Sequence, residues 1–484
     1  MKPQVSLSNK AAIGDAIVIL VDKKSNLNKS GLTNSEVIQF QKWVKQDIKS
    51  CNFIAKDVMK FVQLIDINSE DYKTQESLRK KGSTLLSSLN KYKLKSISIH
   101  NYTGVPAASI SFAEGIALTN YQFIQYRQDA TKKAHSLKQI KIIDSTANKN
   151  HISELNIMID AVYMVRDLVN EPVNHLNAVQ LADAFVKAGK EANFKTTVFN
   201  KKKIEELGMG GLLSVNQGSI DPPTFTIMEY KPANALNDKP IVLVGKGVVY
   251  DTGGLSLKPT GNSMDYMKCD MAGSATVMGS IYMAARNNWP LHIIALAPST
   301  DNRLNGNAFA PGDIIKMYNG MTVEMLNSDA EGRMILADAL SYAQQYEPSL
   351  VIDIATLTGA AHRALGDHAI AYMSTANENI NKQLEQSGRN VYERLVYFPL
   401  WDEYGDMLDS DIADMKNVGG ALAGQITAGK FLEKYTNYPW IHLDIAGMAF
   451  FHSSQGYKGK NASAIGLRLI TDFLKNQMNE LIKK

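Results

Sequence analysis

Met321-Thr322-Val323-Glu324-Met325-Leu326-Asn327-Ser328-Asp329-Ala330-Glu331-Gly332-Arg333-Met334 changes character twice in fourteen residues. Met321 to Leu326 reads as a strand and Met334 to Tyr346 as an amphipathic helix. Asp329 to Arg333 then falls at a strand-to-helix junction, where open α/β sheets usually keep their sites. Asp329 and Glu331 are two residues apart, a spacing that would not face one ion on a regular helix. On a strand end or in a turn, alternate side chains share a face, and the pair converges.

Upstream, the apolar run ending at Val244 passes into Gly245-Lys246-Gly247, then through Asp251, the turn Gly253-Gly254 and Lys258 to Asp270. If Asp251, Asp270, Asp329 and Glu331 meet, four carboxylates repel one another and stay ionised only where divalent cations neutralise them. The economical reading is a two-metal hydrolase. Its ions would lie ~3.5–4 Å apart, so at least one carboxylate must bridge them, and Asp251 and Glu331 are the natural bridges. Each piece also has a plainer reading. Asp329-Ala330-Glu331-Gly332 would pass for an acidic helix start, Lys246 and Lys258 for ion-pair partners, Arg333 for a clamp, and Gly253-Gly254 for a tight turn. It is their joint presence with Asp251 and Asp270 that favours a metal centre.

Gly245 to Pro259, followed by Met267-Lys268-Cys269-Asp270-Met271, resembles the metal-binding core of the leucyl aminopeptidase (cytosol aminopeptidase) family. Asn327 to Arg333 resembles that family's Asn-Thr-Asp-Ala-Glu-Gly-Arg signature, with Ser328 in place of the threonine. Arg166 to Pro172, Ala355 to Ala360, Ala423 to Ala428 and His442 to Gly447 are similar to further family segments, in family order. The resemblance therefore runs from Arg166 to the C-terminus. It implies that Asp251, Asp329 and Glu331, with the Asp329 carbonyl, hold a readily exchanged metal, and that Lys246, Asp251, Asp270 and Glu331 hold a tight one. A lysine ligand must be a neutral amine, with its pKa far below ~10.4. Lys258 would stay charged and stabilise an oxyanion, and Arg333 would hold a bicarbonate acting as general base.

The implied reaction is removal of N-terminal residues, leucine and other apolar ones expected, from peptides with a free amine, by water activated between two cations. Met267, Thr356, Leu357, Gly359 and Ala446 would line an apolar side-chain pocket. Ser463-Ala464 stands where relatives usually carry threonine-glycine, and Ala449 where a pocket residue is expected, departures that bear on side-chain preference. Oxygen ligands with one amine suit zinc or manganese, and magnesium and cobalt are also compatible. Cys269, beside Asp270, reads as a small buried residue rather than a soft ligand. The resemblance also implies a homohexamer.

Composition bounds the rest. At 484 residues and 45% hydrophobic, the chain has room for two sizeable cores. Two cysteines, Cys51 and Cys269, give no disulfide framework and suit a reducing cytoplasm. Asp15 interrupts the start, so no signal peptide is expected, and no apolar run approaches the ~18 residues of a membrane span. His-Glu-x-x-His, Gly-x-Ser-x-Gly and Walker patterns are absent from the sequence. A net charge of +4 argues against a dedicated DNA binder, although the lysines of the N-terminal part are the surface one would test. A phosphoesterase would use two metals equally well, but a lysine ligand is foreign to that chemistry. A catalytically dead relative would have lost one of these charged positions, and none is lost.

The expected fold is α/β: a smaller N-terminal domain (1–152), a connecting helix (153–170) and a catalytic domain (171–484) with a mostly parallel sheet flanked by helices. Strands are predicted at Ala16 to Val21, Ser96 to His100, Phe225 to Glu229, Ile241 to Val244, His292 to Ala297 and Leu350 to Ile354. Helices are predicted at Glu36 to Gln46, Ser153 to Leu168 and Ser274 to Asn287. The lysine-rich stretch Thr131 to Asn150 reads as polar chain leading into the connecting helix.

Overall fold

Ala16–Val21 and Ile241–Gly245 are short aliphatic strands buried along nearly their whole length, the mark of a central strand covered on both faces. Each lies inside a separate sheet. The computed structural model describes residues 2–10, 16–55, 58–68 and 70–483, so Asp15 lies outside the described residues. The chain divides into two compact units, Met1–Tyr163 with Ser454–Lys460, and Met164–Ser453 with Asn461–Lys484.

In the first unit, six strands lie in the order Gln4–Leu7, Gln139–Ile143, Ser96–Asn101, Ala16–Val21, Val58–Leu64, Ser50–Ala55. All neighbours are parallel except the last pair. The strand Gln139–Ile143 corrects the reading of Thr131 to Asn150 as polar chain. Ile140 and Ile142 are fully buried while Gln139 faces solvent, so alternation hides a strand inside a lysine-rich segment. Helix Asn34–Lys45 begins on a Thr33/Glu36 capping box and buries Val37 and Phe40 against Ile19, Val62 and Leu64. The buried Tyr457 hydroxyl donates to Glu76 Oε2 at 2.6 Å, fastening Ser454–Lys460 within this unit. The helix Lys149–Asn170 contains the expected connecting segment Ser153 to Leu168.

In the second unit the sheet runs Leu395–Tyr397, Ile370–Ser374, Trp440–Asp444, Leu350–Ala355, Ile241–Gly245, Ile293–Asn302, Thr224–Tyr230, Lys195–Phe199, with Gly247–Asp251 pairing beside Ile293–Asn302. Its centre, from Trp440–Asp444 to Ile293–Asn302, is parallel. Antiparallel pairs flank that centre, joining Thr224–Tyr230 to its two neighbours and Ile370–Ser374 to Trp440–Asp444. Ile241–Gly245 lies between Ile293–Asn302 on one side and Leu350–Ala355 on the other, so the chain switches direction there. Loops leaving the carboxyl ends of these strands diverge and leave room for a site.

The stretch 321–334 is built differently from expectation in two respects. Thr322–Met325 is a strand, but of a separate three-stranded sheet with Asp313–Lys316 and Met415–Lys416, not of the main sheet. The following helix is Glu331–Ala343, three residues ahead of its predicted start at Met334. Among the described residues no helix is long and apolar enough to cross a membrane.

Candidate metal centre

Ile241–Gly245 ends at the switch point, and Lys246 follows it. Its backbone N–H donates to Ile354 O of the adjacent strand at 3.1 Å, which aims the side chain across the end of the sheet. The Lys246 Nζ lies 2.8 Å from Asp270 Oδ1, 2.9 Å from Glu331 Oε1 and 2.9 Å from the Thr356 carbonyl oxygen. Asp270 comes from the 3₁₀ segment Met264–Met271, and its Oδ1 also accepts from Thr356 Oγ1 at 2.7 Å. Gly332 explains how the groups approach so closely. A Cβ there would stand 2.5 Å from Lys246 Cε and 2.7 Å from its Nζ.

Asp251 ends Gly247–Asp251. Its Oδ1 accepts from the Gly253 N–H (2.8 Å) and Asn302 Nδ2 (2.9 Å), leaving Oδ2 to face Lys258 Nζ at 2.7 Å. The turn that brings Lys258 back needs positive φ at Gly253 (84°) and Gly254 (63°), conformations that L residues avoid. Lys258 also pairs with Asp329 Oδ1. Ser328 joins the two segments. Its buried Oγ donates to Gly253 O at 2.7 Å and accepts from the Ser256 N–H at 2.7 Å. Its carbonyl accepts from Asn302 Nδ2 at 2.9 Å. The serine that replaces the signature threonine is thus fully engaged through its hydroxyl.

Asp329 occupies the turn before helix Glu331–Ala343, and Glu331 is the first helical residue. One carboxylate oxygen from each of Asp251, Asp329 and Glu331 lies within 4.8 Å of the others. Burial, then repulsion by Asp251 and Glu331, pushes the Asp329 carboxyl up to about 7 despite Lys258. Burial also raises Asp270 well above the carboxylate range, with Lys246 pulling the other way. For Lys246, burial favours the neutral amine, but the charges of Asp270, Glu331 and Asp251 outweigh it and favour the ammonium. Lys258 is likewise pulled down by burial and raised further by Asp251, Glu331 and Asp329. The buried Arg333 falls to about 10 through burial, against Glu331 and Asp444, and its Nη1 donates to Asn417 O at 2.7 Å.

Divalent cations fit this donor set. Burial and the neighbouring carboxylates oppose the ionised forms of Asp270 and Asp329, and Asp270 Oδ2 is buried without a hydrogen-bond partner. Replacing lysine ammonium charge by cations would relieve both.

Among the expected pocket residues, Thr356 is buried and bound to Asp270, Leu357 and Met267 are half-buried, and Gly359 opens helix Gly359–Leu365. Asp444, which sequence reasoning left without a role, organises several of them. Its Oδ1 accepts from the N–H groups of Leu357 and Ala446 (3.1 Å each), and its Oδ2 from Thr358 Oγ1 at 2.7 Å. Asn302 and Asn417 were also missed. As neutral amides outside the charged motifs they carry no ligand signal, and only their burial among charged neighbours gives them away.

A parallel-centred sheet that gathers carboxylates and lysines at the carboxyl ends of its middle strands defines a class of α/β proteins. The profile described as "Cytosol aminopeptidase family, catalytic domain" matches residues 163–471, and the chain belongs to that family. It is 51% identical over 313 residues to a "Probable cytosol aminopeptidase" of Chlorobaculum tepidum, a match covering 64% of this chain and 61% of the relative. A protein of the same description from Protochlamydia amoebophila is 40% identical over 427 residues, 86% of this chain and 85% of the relative. The matched region thus spans about three fifths of the first of these relatives and most of the second. A solved structure described as "Bottromycin maturation enzyme BotP" superposes with a TM-score of 0.84 at 26% identity, over 96% of this chain and 100% of that one. A second structure of that enzyme is described as a complex with Mn.

Proposed function

We propose that this chain is a metal-dependent aminopeptidase that removes N-terminal residues, leucine and other apolar ones foremost, from peptides. The observation that carries the reading is the convergence of Asp251, Asp329 and Glu331, with Lys246 and Lys258 lodged against the same carboxylates. Family membership and the descriptions of the relatives support it.

Lys246, Asp251, Asp270 and Glu331 would hold one divalent cation, and Asp251, Asp329 and Glu331 the other. When bound, the pair would supply Lewis acidity and lower the pKa of water at neutral pH. The BotP complex with Mn supports manganese, and the donor set also admits zinc, magnesium or cobalt. Lys258 would donate to the carbonyl oxygen of the scissile bond as negative charge builds there. Arg333 would hold bicarbonate, the general base, with its guanidinium steadied by the Asn417 carbonyl. Thr356 holds Asp270, and Met267, Leu357, Gly359 and Ala446 would border the side chain of the residue removed. Residues 1–152 would form an N-terminal α/β domain, 153–170 a connector and 171–484, apart from Ser454–Lys460, the catalytic domain. The protein would act in the cytoplasm as a homohexamer, a state supported by family resemblance.

Hydrolysis of leucine-p-nitroanilide tests this. Activity should vanish on chelation, return with Mn²⁺ or Zn²⁺, and fail with the N-acetylated substrate. Cleavage that ignores chelation, or that accepts the blocked amine equally, would overturn it.

A further inference from the structure

Asn417 lies outside every stretch that carries charge to the centre, yet it is fully buried and all its polar groups are used. Its N–H donates to Glu324 O at 3.0 Å, extending the pairing of Met415–Lys416 with Thr322–Met325. That strand stops at Met325, and the amides beyond it need other partners. Asn417 Oδ1 accepts from the N–H of Leu326 at 2.8 Å and of Asn327 at 3.3 Å, and its Nδ2 donates to Asn327 O at 2.8 Å. Asn327 in turn accepts the Asp329 N–H on its Oδ1 at 2.8 Å. From the other side of the same residue, the Asn417 carbonyl accepts from Arg333 Nη1. Two of the charged groups of the centre therefore take their positions from one neutral residue. The opposite set, Lys246 and Asp270, is held by Thr356 and the backbone of Ile354, bonds in which Asn417 has no part.

We propose that Asn417 is a positioning residue that sets the place of Asp329 through Asn327, and so governs one of the two cation sites selectively. The inference rests on the two-metal reading. An alanine leaves two amide N–H groups and one carbonyl without their side-chain partner, and the turn carrying Asp329 is free to relax. Asn327→Ala leaves Asn417 and its backbone partners in place and removes only the Oδ1 that accepts from the Asp329 N–H.

The test is calorimetric titration of the metal-free, full-length protein with Mn²⁺. Wild type should bind two ions of unequal affinity. In Asn417→Ala the weaker site should loosen by about 10–100-fold, as for other outer partners of metal ligands, while the tighter site stays within about 2-fold. Asn327→Ala, the milder change should the Asn417 variant unfold, should give a smaller loss in the same site. Both sites weakening equally, or neither changing in a folded variant, overturns the inference. Wild type that binds no Mn²⁺ overturns the two-metal reading itself, and this inference with it.

Discussion

The two halves of the centre rest on unlike supports. Lys246, Asp251 and Asp270 come from the main sheet and the segments beside it, and all three are at most 3% exposed. Asp329 comes from a turn behind a four-residue strand of a small separate sheet, and a third of its side chain is open to solvent. A half built into a central parallel sheet has little freedom to adapt, whereas a half hung on a turn moves at small cost. On the proposed two-metal reading, the contrast gives a physical reason for one cation to be tightly held and its neighbour to exchange.

The largest effect is expected where the halves meet. Lys258 pairs with Asp251 of one and Asp329 of the other. Lys258→Ala and Arg333→Ala should lower kcat by roughly 10²–10³-fold, in line with removal of one group that stabilises developing charge. Metal content per chain, read by atomic absorption, should stay near wild type. Full turnover in either variant would remove its assigned role. Gly332→Ala probes the rigid half from the opposite side. Its Cβ would displace the end of Lys246, and affinity at the tight site should fall by about 10–100-fold. That selectivity is the reverse of the one expected at Asn417; equal loss at both sites would dissolve the distinction between the halves.

A smaller effect concerns the helix that carries Glu331 and Arg333. Asp338 on that helix accepts from the N–H groups of Tyr318 and Leu212 (2.9 Å each), and burial lifts its carboxyl to about 7 against those bonds. Its folded pKa exceeds the ~3.9 of the unfolded chain, so this contribution is complete below about pH 4 and is lost as pH rises through 7. Asp338→Asn cannot titrate. The slope of urea midpoint against pH between 5 and 7.5 should therefore be shallower in the variant. Equal slopes would show that Asp338 is ionised throughout.

The smallest effect is at Ala464, whose φ of 61° lies in the left-handed region that favours glycine. Ala464→Gly should stabilise the chain by up to about 1 kcal/mol, seen as a higher urea midpoint. An unchanged or lower midpoint would mean that the contacts of Ser463 with Met448 and Ala449 already absorb the strain.

What could be read in the sequence follows from what each residue type does. Short, mostly aliphatic strands such as Ile241–Gly245 and Leu350–Ala355 announce themselves by composition, and charged residues at glycine-rich turns announce chemistry. The parallel centre of the sheet and the family were legible on these grounds. Gln139–Ile143 was not, because five residues with two outward polar positions look like the lysine-rich chain around them. Membership of Thr322–Met325 in a small sheet was hidden as well, since one of its two partners, Met415–Lys416, is a two-residue strand about ninety positions downstream. The hydrogen-bonding roles of Asn302, Asn417 and Asp444 depend on contacts between segments remote in sequence, and no local pattern encodes them.

The first unit closes only with Ser454–Lys460, near the end of the chain. A ribosome making roughly 5–20 residues per second must add Met164–Ser453, most of the second unit, before Tyr457 emerges to meet Glu76. Until then the unit that starts first waits with a buried carboxylate short of its phenol partner. The unit that starts first is therefore completed only after nearly all of the second has been made, and a chain interrupted before Tyr457 would leave its earliest part unfinished.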